Sequence, residues 1–166
     1  MTEQYLQSNI NLHPESAVFF GGIGALDVPI FGALVTSLPL QVVDSSNPLF
    51  VHTLGSSEVE VGASGLLTAF WFTSINVNSG GRKNSKVSLF VDRDDGFGFL
   101  PVERTFSFGY HRNIAQGRDT PSAFIQDFPV EQGWKIEVAA QRISGTGNLR
   151  YIGAASSLLM ALRTDR

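Results

Sequence analysis

Residues 66–77 read LLTAFWFTSINV, and the fold turns on this stretch. Taken with a period of two, Leu66, Phe70 and Phe72 fall on one face, and Leu67, Trp71, Ile75 and Val77 on the other. Neither face is polar. Aromatic and β-branched residues suit a pleated strand, and a strand that is apolar on both sides needs cover on both. The second sheet of a sandwich supplies one cover. A neighbouring copy or the chain's own N-terminal segment supplies the other.

The flanking segments carry the same period. Glu58, Val59, Glu60 and Val61 alternate strictly, valines inward and glutamates outward, after a short apolar run at 49–53 and a turn at 55–57. Glycines at 62–65 punctuate, and NSGGRKN at 78–84 is a turn-rich loop. Further strands are predicted at 87–91, 97–102, 105–110, 124–128 and 134–142, with a polar loop at 113–122. In the last of these strands Ile136, Val138 and Ala140 oppose Lys135, Glu137 and Gln141. Turn signals every 8–12 residues or so predict an antiparallel β-sandwich, jelly roll or barrel. Residues 149–163 fit two readings. Ala155, Leu158, Leu159 and Leu162 have helical spacing, while Leu158, Met160 and Leu162 also alternate as in a buried central strand.

Composition agrees with one globular domain. The chain has 166 residues, of which 43% are hydrophobic and only 16% charged, which argues against disorder. Absence of cysteine excludes disulfides, thiolate metal sites and cysteine nucleophiles. The net charge of −3 is unevenly spread: residues 1–81 hold six acids and no lysine or arginine, and all twelve basic residues follow. This suits either complementarity between copies or a mixed surface once the halves interleave. No basic run interleaved with aromatics occurs, so nucleic acid is not expected as a partner.

Residues 1–47 read differently and are expected to form an N-terminal arm ahead of a β-sandwich domain at 48–166. Residues 1–16 are polar, and 17–43 are apolar with Asp27 as the single charge. No positive charge precedes the apolar run, as a signal peptide requires. Gly21, Gly22, Gly24, Gly32, Pro29 and Pro39 make it a poor membrane helix, so no membrane partner is expected. A soluble chain must still cover this stretch, either on its own domain or on a partner. Phe19, Phe20, Ile23, Leu26, Ile30 and Phe31 are the candidate anchors.

Residues 55–163 resemble the trimeric jelly roll of the complement/tumour-necrosis-factor type, which includes phage structural variants. The resemblance rests on Val59 and Val61 before a glycine turn, the aromatic strand at 66–73, and VSLFV at 87–91. It rests also on FPVEQGWKI at 128–136 and on Gly153 with SSLLM at 156–160. It implies a strand at the C-terminal segment and a homotrimer. Leu67, Trp71, Ile75 and Leu159 are then expected at the oligomer interface, and the fold class is an all-β jelly-roll sandwich with an extended N-terminal arm.

Chemistry-bearing motifs are weak. DRDDG at 92–96, with Glu103 further on, has glycine where a calcium loop needs a ligand, and reads as a hairpin turn. The glycines at 22 and 24 lack the third glycine of a dinucleotide fingerprint. Gly62 to Gly65 is one residue short of a nucleophile elbow. His13, His52 and His111 are scattered, and structural roles are expected for them. Neither cofactor nor metal nor catalysis is expected. The resulting functional expectation is a homotrimeric capsid decoration (cement) protein. It would lie on the outer surface of a phage virion and grip the major capsid protein through the arm. The alternative is a receptor-binding head of a fibre or spike, with the loops at 78–84 and 113–122 reading a host glycan or protein.

Overall fold

The computed structural model describes residues 16–20, 27–30, 35–45, 47–77, 81–112 and 119–164. Among them the chain runs through β1 (Ser16–Phe20), β2 (Asp27–Ile30), β3 (Thr36–Ser37), β4 (Val42–Ser45), β5 (Phe50–His52), β6 (Val59–Val61) and β7 (Gly65–Val77). It continues with β8 (Lys83–Asp92), β9 (Leu100–Pro101), β10 (Ser107–His111), β11 (Ser122–Val130), β12 (Lys135–Ser144) and β13 (Leu149–Arg163). The described elements are all strands, and they form two antiparallel sheets. The first has the order β11-β7-β13-β1-β4, with β2 also on β13. The second has the order β10-β8-β12-β6-β5, with β3 on β12 and β9 on β8. Stacked face to face, they make the expected jelly-roll sandwich.

The core lies between the sheets. Leu67, Trp71 and Ile75 of β7, Leu158 and Met160 of β13 and Phe19 of β1 meet Val87 and Leu89 of β8 and Ile136 of β12. Each such side chain contributes roughly 1.5–3 kcal/mol by leaving water. This corrects the interface expected from the sequence. Leu67, Trp71 and Ile75 are 0% exposed within a single copy and are not available to a neighbour.

The C-terminal segment is a strand, as the resemblance implied. Its Ala-Ala-Ser-Ser-Leu-Leu composition suits a helix better, but β7 and β1 flank it and take up its backbone groups. The ladder to β7 shifts register between Ile152 and Ser157. Ser156 repairs the gap: its hydroxyl accepts from Ser74 N at 2.8 Å and donates to Ile152 O at 2.9 Å. Tyr151 beside it is almost fully buried, and that burial pushes its phenol up to about 12.

The boundary expected after residue 47 does not separate an arm from the sandwich. β1 pairs along β13, with Phe19 opposite Leu158, and β2 pairs with the start of β13, with Ile30 opposite Leu149. Phe19 and Ile30 are buried in the protein's own core, and the Phe19 ring meets His52 of the other sheet edge-on at 5.3 Å. The reason is the length of β13. Its fifteen residues present a row of backbone donors and acceptors that would otherwise stay open beside β7. Phe20 pairs through its backbone with Ser157. Its side chain, like Ile23, Leu26 and Phe31, lies outside the described residues.

Gly145 opens the turn between β12 and β13 with φ +85°, and a Cβ there would meet the backbone of Arg82 and Lys83. Gly145→Ala is therefore expected to lose about 1–3 kcal/mol from the left-handed conformation alone. Thermal unfolding checks this, and an unchanged Tm would refute it.

Candidate functional site

The outer face of the first sheet is the part of β7 that its own core leaves uncovered. Phe70 lies between Phe124 of β11 and Leu159 of β13, and Leu159 is opposite Val18 of β1. One apolar row thus crosses four strands, widened along β7 by Leu66 and Phe72. Phe70 is 42% and Phe124 66% exposed. The Phe70 and Phe72 rings are 6.4 Å apart. At the far end of this face Arg163 pairs with Asp127 at 3.3 Å. Of the four interface residues expected from the sequence, Leu159 alone belongs here. Phe70 and Phe124 were missed because both faces of β7 are apolar, and periodicity does not say which one meets the second sheet.

The outer face of the second sheet has a different chemistry. Along β10 and the two residues before it, Thr105, Gly109 and His111 point inward, which leaves Phe106, Phe108 and Tyr110 outside. Phe106 and Phe108 meet edge to face at 6.0 Å, and the Lys86 ammonium sits 4.5 Å over the Phe106 ring. Beside Lys86 is a shallow trough of about 230 Å³. Ser88 and Ala139, paired across β8 and β12, form its floor. Lys86 and Gln141 stand at one end, and Phe90 and Pro101 at the other. Between β8 and β9 the chain makes the expected tight turn. Asp92 Oδ1 accepts from Asp94 N and Asp95 Oδ1 from Phe97 N, and this turn holds Phe97 79% exposed.

Four sets of buried or part-buried polar groups bear on chemistry. Ser85 Oγ and His111 Nε2 are 2.8 Å apart, and Asp119 Oδ2 approaches the same point beside Gly109. Serine and histidine are both 0% exposed, and the carboxylate is taken by the Tyr110 and Thr120 amides at 2.7 and 2.8 Å. The serine and histidine are thus sealed inside the sandwich, out of reach of a substrate, while Asp119 sits half-exposed at its edge. His52 likewise serves structure, its ring nitrogens each 2.8 Å from a carbonyl, of Glu58 and of Leu40. Lys83, buried at the same end as His111, has its ammonium pKa lowered by that burial and then by Arg142.

Glu137 is the last of them. Ser37 and Ser57 donate to its two oxygens at 2.9 and 3.1 Å, yet burial wins and raises its pKa above the usual glutamate range. A carboxyl held high in the fold stabilises most below the unfolded value, and that contribution is lost as pH rises through the folded one. Glu137→Gln is therefore expected to raise Tm at about pH 7 and to leave it unchanged at about pH 3, where the carboxyl is protonated anyway. A lower Tm for the variant at neutral pH would overturn this.

No protein-family model matches the chain, and no curated protein matches it in sequence. Solved structures do match. Eiger TNF from S. frugiperda superposes with a TM-score of 0.64 at 12% identity, over 91% of this chain and 93% of that one. The globular domain of zebrafish complement 1qA protein gives 0.55 at 10% identity, over 92% and 99%. Murine APRIL gives 0.54 at 12% identity, over 89% and 99%. The jelly roll is shared. At these identities the likeness establishes the fold and leaves function to the surfaces just described.

Proposed function

We propose that this protein is a non-enzymatic homotrimer whose outward surfaces recognise a larger partner, as a receptor-binding head does. The apolar row Phe124–Phe70–Leu159–Val18 carries the reading. Patches of this kind on a soluble protein mark interaction sites, and a closed ring of copies gives each patch a single, saturable occupant. The jelly roll shared with Eiger TNF, the complement 1qA globular domain and APRIL is the frame on which these surfaces stand. The sealed Ser85–His111 pair speaks against catalysis as the role of those residues.

The finer reading is a decoration protein on the outer surface of a phage capsid, bound to the major capsid protein. It is the lesser proposal. Phe19 and Ile30 are committed to the protein's own core, so other residues would have to make the shell contact. Light scattering after size exclusion tests the trimer: a mass near three times 18.0 kDa is expected, and a stable monomer would end the reading. Co-sedimentation with expanded phage shells tests the decoration role.

A further inference from the structure

We propose that the trough on the outer face of the second sheet binds an acidic sugar residue of a glycan, its carboxylate on Lys86 and its ring against Phe90. The inference deepens the recognition reading by naming the partner's chemistry. Two polar groups of the trough point to a ligand. The Lys86 ammonium touches only the Phe106 ring, with neither an ion pair nor a hydrogen bond among the described residues. Ser88 is 3% exposed at the floor, and its hydroxyl is also without a hydrogen bond there. Both groups can therefore meet polar atoms of a ligand without giving up a partner within the protein.

Charge selects an anion. No acid lines the trough. The nearest on this face, Glu137, is the register partner of Phe90 and is turned under Ser37 and Ser57. Shape selects a single ring. About 230 Å³ takes one monosaccharide and not a drug-sized molecule. A pyranose has apolar C–H faces for the half-buried Phe90 ring and hydroxyls for Ser88 and Gln141. An extended acidic peptide fits less well. β8 and β12 pair with one another under the trough, so no free strand edge is offered for β-addition. In a trimer three such troughs would act together on a multivalent glycan.

The test is calorimetric titration of the full chain with a galacturonic acid trisaccharide, a neutral galactose trisaccharide and sodium acetate. Expected is binding of the acidic trisaccharide that weakens with salt, with the neutral sugar and acetate each at least tenfold weaker. Lys86→Met, which keeps the length of the side chain, should lose that tenfold, and Ser88→Leu should block the trough. Light scattering of both variants reports whether assembly is intact. Equal binding of the neutral sugar, equal binding of acetate, undiminished binding by Lys86→Met, or no binding of the acidic trisaccharide would each overturn the site. A monomer that binds would sink the trimer and spare the trough, while a trimer that does not bind would do the reverse.

Discussion

Phe70→Asp is expected to leave a folded monomer, its mass falling from about three times 18.0 kDa to 18.0 kDa. Phe70 is the middle of the apolar row, between Phe124 and Leu159. In a single copy its side chain is 42% exposed, so an aspartate there remains hydrated and the sandwich tolerates it. In a ring of copies the same carboxylate would be buried without a partner, three times over. Each unpaired buried charge costs several kcal/mol, which exceeds what a modest interface can recover. Val51→Asp is the control. Val51 is 55% exposed on β5, in the other sheet, and its substitution should leave the mass unchanged. A Phe70→Asp protein that still elutes as a trimer at micromolar concentration would place the interface elsewhere.

The neighbouring residue behaves in the opposite way. Trp71→Ala is expected to lower Tm without dissociating the trimer first. Its ring is 0% exposed at the centre of the core, and truncating such a residue costs about 3–5 kcal/mol, equivalent to about 6–20 °C for a chain of this size. Trp71→Phe should cost much less. The indole Nε1 is buried without a hydrogen-bond partner among the described residues, so replacing it removes an unsatisfied donor along with some packing. If Trp71→Ala changed the mass at an unchanged Tm, Trp71 would lie at the interface, as the sequence alone suggested.

These two predictions concern adjacent positions, and the sequence could not separate them. Alternation along 66–77 assigns Phe70 and Trp71 to opposite faces, but both faces are apolar. Only the stacking of β7 over β8 and β12 says which is inside. Where one face is polar the choice is legible. Val59 and Val61 point inward because Glu58 and Glu60 need water. Along 105–111 polarity points the wrong way, since Phe106, Phe108 and Tyr110 face out while Thr105, Gly109 and His111 line the inside. The trough was not legible, since Lys86, Ser88 and Phe90 come from one strand and Gln141 from another, and no local spacing joins them.

The sequence by itself determined the strand periodicity, the turns and hence the all-β sandwich, because each of these is set by neighbours within a few residues. Tertiary structure decided the rest. It made residues 149–163 a strand despite their helical spacing, since two flanking strands satisfy its backbone. It drew β1 and β2 out of the expected arm and into the first sheet, since the long β13 needed partners along its length. And it turned Phe70 outward, since a period of two fixes opposition between faces but not which face meets the core.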